Sequence, residues 1–319
     1  MKKIYFVGDI LNDTGPAIVN KSYYPYLNDE VIFCKTNKKI LRILHFFFFF
    51  LNKKTIIISG FSKLNYYFSK IAKIFNKNVI YIMHGYIKEE MKFSNKINPK
   101  KEKIEYNLLK NVDKILCVSE FFANFMKNKL PEFKDKISFV NNGIIEVKSR
   151  KTKNKNNDYI IISVGGGVRQ KNNLAICQAI DKLKDNKIRF IVIGSLGSDG
   201  NKIKEYSFVE YYERLPHEEV LEKMSNSDLY IQNSYFETFG LAIVESINCG
   251  CDLLISKNVG VLSILNGIEQ KDIIYDNDNI EEISEKIYNK TKFRSNIYYN
   301  SSECSWKNRS NELLEKVKV

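Results

Sequence analysis

The sequence predicts an α/β protein of two domains in tandem, and three observations carry that prediction. Short, nearly continuous apolar runs alternate with helix-length segments along the chain, as expected for strands buried on both faces of parallel sheets. A ten-residue stretch with no apolar residue, 148–157 (KSRKTKNKNN), interrupts the rhythm, which then restarts. The 319 residues suffice for two cores of ordinary size.

In the first half the strand-like runs are residues 3–8, 31–34, 55–60, 79–84, 114–119 and 137–140, each rich in Ile, Val, Phe or Tyr. Segments 61–75 and 99–111 have helix length. After the polar joint the runs are 159–164, 190–194, 207–212, 229–233 and 252–256, and the amphipathic stretch 303–317 predicts a terminal helix. The domains that follow are 1–147, a linker at 148–157, 158–302, and a helix over 303–319 expected to pack back on the first domain.

The most apolar window, residues 40–51 (ILRILHFFFFFL), includes Arg42 and His45. It falls well short of the roughly twenty residues a membrane span needs. A buried or interfacial helix is expected, and the five consecutive aromatics at 46–50 cannot all face inward. The first residues, MKKIYFVGD, reach an acid and a glycine too soon for a secretion signal. Six cysteines without a CxxC pair, several inside apolar runs, read as small hydrophobes. With only three histidines, zinc is not expected, and a reduced, cytoplasmic compartment fits.

The net charge of +13 is uneven: residues 1–150 hold 27 Lys+Arg against 13 Asp+Glu, and residues 151–319 hold 23 against 24. A basic half attracts nucleic acid, anionic lipid or phosphorylated ligands, although a Lys-, Asn- and Ile-rich composition also follows from AT-rich coding. No scaffold interleaves aromatics with basic residues for nucleic acid, so none is expected as partner. The segment 40–54, whose aromatic run is flanked by Lys38, Lys39, Arg42, Lys53 and Lys54, is expected to dock on an anionic membrane. Packing of Phe46–Phe50 under the sheet is the competing reading.

In open parallel sheets ligands bind beyond the carboxyl ends of strands. After the run 159–164 comes GGGVRQKN, Gly165 to Asn172. Three glycines let a ligand approach the backbone, and Arg169 and Lys171 can hold a diphosphate. A Gly-rich turn with two solvated cations explains the same residues. The segment from Asn233 to Gly250, NSYFETFGLAIVESINCG, follows a strand and is expected to enter a helix near Gly240. Glu237 and Glu245 are eight residues apart, which in a helix spans about 12 Å along one broad face. Free amides near Phe239 and Gly240 can then meet phosphate while the carboxylates meet sugar and ribose hydroxyls. The bland alternative makes Glu237 a cap and Glu245 a partly exposed helical acid. Asp276-Asn277-Asp278 matches D-x-D but sits in a polar turn before a helix, where such residues form turns and N-caps, so no metal is expected. His84 reads as a buried histidine after a strand, and His217 as a solvated residue at a helix start.

The stretch NSYFETFGLAIVES resembles the S-x-x-E-x-F-G-x-x-x-x-E signature of retaining glycosyltransferase family 4, with its E-x7-E pair. Further landmarks follow in the family's order: Gly8 to Gly15 after the first strand, His84-Gly85, Val118–Glu120, Asn142-Gly143, GGGVRQKN, and Leu215 to Glu219. The resemblance implies a GT-B fold, two Rossmann-like α/β domains facing each other across a cleft. It implies a retaining, metal-independent hexosyl transfer from a UDP-linked or other nucleotide sugar, with no further cofactor. The acceptor would be a hydroxyl of a sugar or lipid-linked saccharide, in bacterial cell-surface polysaccharide or glycolipid synthesis, on the inner face of the cell membrane. Arg169 and Lys171 would neutralise the diphosphate, Glu237 with Thr238, Phe239 and Gly240 would hold the sugar, and Glu245 the ribose. Gly166 and Gly167 would form the phosphate turn, Gly15 would let the first loop approach, and His84 would face the sugar. Two departures stand out: glycine where the family often has Arg after the strand glycine, and Gly15-Pro16 instead of Gly-Gly. The rival readings are a UDP-sugar epimerase on the same fold and a non-catalytic basic binding module.

Overall fold

A computed structural model describes residues 4–12, 14–36, 38–50, 53–94, 97–144 and 158–318. The expected linker at 148–157 lies outside the described residues. The chain forms two compact units, residues 1–143 with 301–319, and residues 144–300.

Unit 1 is built on six parallel strands, β1 (Ile4–Val7), β2 (Val31–Phe33), β3 (Thr55–Ser59), β4 (Asn78–Met83), β5 (Lys114–Cys117) and β6 (Ile137–Phe139). They lie in the order β2-β1-β3-β4-β5-β6. Tyr5, Phe6, Val7 and Ile56 to Ile58 are fully buried, which is why the strands read as unbroken apolar runs rather than alternating ones. The helices are α1 (Gly15–Leu27), α2 (Lys39–Phe50), α3 (Lys63–Ile74), α4 (Ile87–Glu90), α5 (Pro99–Asn111) and α6 (Glu120–Lys129). Ser62, Asn98 and Ser119 cap α3, α5 and α6 by accepting a backbone N–H three residues on.

No sequence expectation covered α1. Its buried stripe is Ala17, Val19, Asn20, Tyr23 and Leu27, with a polar residue in the middle and Pro25 near the end, so the apolar periodicity is blurred. The loop expected over residues 8–15 therefore ends in a helix whose first residue is Gly15, followed by Pro16, tolerated where the N–H would be unpaired anyway.

Unit 2 follows the same plan with β7 (Tyr159–Val164), α7 (Asn173–Leu183), β8 (Ile188–Ile193), α8 (Gly200–Lys204), β9 (Val209–Tyr212), α9 (His217–Ser225), β10 (Leu229–Gln232), α10 (Leu241–Asn248) and β11 (Asp252–Ser256). Then come β12 (Leu265–Asn266), β13 (Ile273–Ile274), α11 (Ile280–Lys292) and β14 (Tyr298–Tyr299). The sheet order is β13-β11-β10-β7-β8-β9, and β12 pairs antiparallel with β14. Buried apolar side chains of α7 and α11, among them Ile176, Ile180, Ile283 and Ile287, pack on Phe190, Ile231 and Leu254 of the sheet. Lys290 at the end of α11 is buried against Asp252 and Asp272 at 3.0 and 2.5 Å, tying the helix to β11 and the loop beyond it.

The final helix, α12 (Trp306–Lys318), belongs to unit 1. Trp306 meets Tyr23 of α1 edge to face at 5.1 Å, and a side chain on Gly143 would strike it. All six cysteines are buried free thiols. Among the described residues no helix is long and apolar enough to cross a membrane.

Candidate functional site

In unit 2 the strand order reverses at β7, whose neighbours β8 and β10 carry the chain away on opposite sides. The carboxyl ends of β7 and β10 therefore flank a switch point, where open sheets hold their ligands. The Gly-rich turn follows β7 and the Glu237 segment follows β10, so the topology alone brings them together.

The turn is shaped by packing as much as by any ligand. A side chain on Gly166 would lie 2.2 Å from the Ser195 carbonyl oxygen, and one on Gly167 2.0 Å from that of Leu196. These two glycines are needed because the turn rests directly on the backbone that follows β8, a requirement the sequence reading assigned to ligand approach. Tyr211 on β9 locks the contact: its hydroxyl accepts the Gly167 N–H at 2.8 Å and donates to the Ser195 carbonyl at 2.8 Å. Gly165, at φ +142°, leaves room for the aliphatic stem of Lys171, which a side chain there would strike at 2.6 Å.

Lys171 crosses Gly165 to form an ion pair with Glu237. Gln232, the last residue of β10, donates to the same Glu237 carboxylate at 3.1 Å, and its own carbonyl oxygen accepts the Tyr230 hydroxyl at 2.8 Å. Glu237 lies ahead of α10, not on it. It forms an isolated parallel bridge with Val259, its N–H donating to Asn258 and its carbonyl accepting from Gly260. This corrects the expectation that both carboxylates share a helical face. Gly240, at φ +103°, is the N-cap of α10, and only Glu245 is in the helix. The first amides of α10, just after Phe239 and Gly240, have no carbonyl within the helix to bond.

Glu245 meets His217 at the start of α9, Nε2 to Oε1 at 2.9 Å. That hydrogen bond raises the His217 pKa above its ordinary value. His217 is therefore a partner of Glu245 as well as half exposed, where the sequence reading made it only solvated. Arg169 is exposed on the turn, in the field of Tyr235. Asp276 accepts the Asp278 N–H within the turn that Asn279 caps into α11, and Asp278 accepts the hydroxyl of Tyr235 from the segment after β10.

Unit 1 assembles its own cluster at the carboxyl ends of β3 and β4. His84 Nε2 lies 2.8 Å from the Ser59 hydroxyl, which donates to Asn20 of α1 at 2.6 Å. Burial lowers the His84 pKa to about 4, so the imidazole is neutral near neutral pH. Apart from Gly15's own chain neighbours and helix, no atom of the described residues lies within 4 Å of a side chain placed there. Ser59, Asn20, Gln232 and Tyr211 were not singled out from sequence. Gln232 and Ser59 each end a strand one position before the turn, which is the signal that would have found them.

Residues 145–301 match the family model for glycosyl transferases group 1. The group 1 match coincides with unit 2 and contains Lys171, Glu237 and Glu245. A curated relative, the GPI3 subunit of phosphatidylinositol N-acetylglucosaminyltransferase from Saccharomyces cerevisiae, is 26% identical over 172 residues. That alignment covers 48% of this chain and 37% of the relative, so the chain matches well under half of the relative's length. Among solved structures, HepE of Anabaena in complex with UDP and glucose superposes with a TM-score of 0.67 at 12% identity, covering 99% of this chain and 95% of that one. Sucrose-phosphate synthase of Thermosynechococcus elongatus gives 0.73 at 13% identity, with 99% and 95% covered. The shared property is the fold, two parallel-sheet α/β domains of the GT-B class.

Proposed function

We propose that the protein transfers a hexosyl group from a nucleoside diphosphate sugar to an acceptor hydroxyl, with retention at the anomeric carbon and without a metal ion. The observation that carries this reading is the meeting of Lys171 and Glu237 beside the N-terminus of α10, at the switch point of the group 1 unit.

The donor diphosphate would lie over the Gly-rich turn, between the Lys171 ammonium, the Arg169 guanidinium and the first amides of α10. As the bond from the anomeric carbon to the diphosphate oxygen breaks, negative charge grows on that oxygen. Two cations and a helix N-terminus stabilise this charge more than they stabilise the bound donor, which is where rate acceleration arises. The acceptor oxygen bonds to the anomeric carbon on the same face, and its proton passes to the leaving diphosphate. Glu237 has two tasks here: it holds Lys171 in place and offers its remaining lone pairs to sugar hydroxyls, with Thr238, Phe239 and Gly240 lining the approach. Glu245, steadied by His217, takes the ribose. His84, a neutral hydrogen-bonding group, and Gly15 are proposed as functional residues on the family resemblance.

The donor is proposed to be UDP-linked; HepE of Anabaena binds UDP and glucose in its solved complex. The acceptor is proposed to be a sugar or a lipid-linked saccharide, in bacterial polysaccharide or glycolipid synthesis at the inner face of the membrane. E-x7-E spacing in the segment Glu237 to Glu245 supports retaining family 4 over the epimerase alternative. A thermal-shift screen against UDP-, GDP- and dTDP-sugars tests the reading. A ligand at 100 times its dissociation constant adds about 2.7 kcal/mol of stability, and no shift with any of the three counts against donor binding. EDTA should leave turnover unchanged; loss with EDTA and recovery with Mn²⁺ would implicate Asp276 and Asp278 instead.

A further inference from the structure

Helix α2 has an outward face that the core does not use. Ile40, Leu41, Leu44, Phe47 and Phe48 are exposed by 74, 47, 60, 48 and 77%. At 100° per residue the five fall within an arc of about 120°. Phe46 and Phe50 are fully buried on another face, with Phe46 stacked on Phe68 of α3 at 4.1 Å and close to Tyr5 of β1. The inward anchoring is therefore complete without the outward stripe. The apolar region continues past the end of α3, where Phe75, 52% exposed, meets Phe50 edge on at 5.2 Å.

Along the sequence, the charge on either side of this stripe has one sign. From Val31 to Lys88 the sequence contains eleven Lys or Arg and no Asp or Glu. Two of the five cations that the sequence reading grouped here are engaged elsewhere. Arg42 donates to Asn65 at 3.1 Å, and Lys53 is 5% exposed. Lys38, Lys39 and Lys54 are exposed, as are Lys63 and Lys70 of the adjacent α3.

A second copy of this chain is a poor occupant, because a face-to-face pair would set one acid-free surface against another. Single-stranded nucleic acid fits no better, since Ile40, Leu41 and Leu44 offer no ring for a base to stack on. An anionic bilayer fits both properties: its headgroups complement the cations, and the boundary with its acyl chains receives the apolar side chains. We propose that α2 lies in the headgroup plane of an anionic membrane, with the stripe from Ile40 to Phe48 inserted and Lys38, Lys39 and Lys54 at the phosphates. This docking is independent of the glycosyl-transfer reading and needs no donor to be observed.

Sedimentation of the full chain tests it, with vesicles of phosphatidylcholine alone and of phosphatidylcholine mixed with phosphatidylglycerol. The protein should partition onto the anionic vesicles only. Binding should fall about tenfold or more when salt shortens the screening length from roughly 30 Å to about 8 Å. The double variant Leu44→Ser, Phe48→Ser should no longer sediment while keeping its thermal transition, since both side chains are exposed. Lys38→Glu, Lys39→Glu should lower binding about tenfold or more, each cation contributing about fivefold, and serves if the first pair disturbs folding. Equal or negligible binding to both vesicle types at low salt overturns the proposal. So does a double variant that sediments like the parent, or a parent chain that is a dimer which that variant makes monomeric.

Discussion

At the residue scale, Lys171 and Glu237 stand out in the sequence because each sits in an uncommon combination of residue types soon after a strand-like run, and Glu245 through its spacing from Glu237. Their partners do not. Gln232, Tyr211 and Ser59 are single polar residues in or at the end of a strand, and only the sheet order shows that they face the turns they organise. Truncating Lys171→Ala should lower kcat by about 10²–10³, the range for removing one group that stabilises developing charge, with KM changing less. Steady-state kinetics at saturating donor would check the split, and an unchanged kcat would remove Lys171 from the chemistry. His84 gives a pH signature of its own. The folded imidazole stays neutral down to about pH 4, whereas the unfolded chain protonates below roughly 6.5. The unfolded state then binds more protons, so stability present above pH 6.5 is lost as pH falls from there toward 4, by about 2–3 kcal/mol. Replacing it in His84→Gln should flatten that part of the thermal-stability profile between pH 7 and 4.5.

Among the elements, the sequence marked those whose burial is two-sided or strongly periodic and missed those whose pattern is interrupted. Strands β3 and β4 were plain because every residue between Thr55 and Ser59, and every residue after Asn78, is apolar or aromatic. Helix α1 was hidden by Asn20, placed in its buried stripe to meet Ser59. Helix α5 carries a different exception, Glu105, which is 1% exposed, accepts the Ile87 N–H at 3.0 Å and leaves its other oxygen without a partner among the described residues. Burial raises its pKa to about 8, against the lowering effect of that N–H. Here the folded state holds the proton, so the contribution is complete below about pH 4.5 and is lost as pH rises through 8. Glu105→Gln should therefore raise the melting temperature more at pH 9 than at pH 5; equal shifts at both would show that the carboxyl does not titrate in the fold. In unit 2, Lys290→Ala leaves two buried carboxylates unpaired and should cost about 3–5 kcal/mol in denaturant unfolding. The exposed pair of Lys182 with Glu281 makes the control, and Lys182→Ala should cost under about 1 kcal/mol.

On the scale of the whole chain, the sequence carried the α/β class because parallel strands buried on both faces leave a mark that needs no tertiary context. It could not distinguish a glycine that admits a ligand from one that admits another loop. Gly166 and Gly167 look alike in the sequence, and only the close approach of the backbone after β8 shows that packing requires them. The helix start near Gly240 was legible, whereas nothing in the sequence showed that Glu237 ahead of it bridges to Val259. The charge asymmetry was visible from the start, and its meaning sharpened once α2 was seen to expose Phe48 while burying Phe46 and Phe50. The central claim is the proposal that unit 2 holds a nucleoside diphosphate through Lys171, Glu245 and the Gly-rich turn. Calorimetric titration of UDP into the parent chain and into Glu245→Ala tests that claim most directly. The parent should bind with one site per chain, and the variant about ten- to a hundredfold more weakly, the loss of a charged hydrogen-bonding partner being worth about 1.5–3 kcal/mol. An identical dissociation constant for the two proteins, with UDP and with the nucleoside diphosphate of whichever donor stabilises the parent, would contradict it.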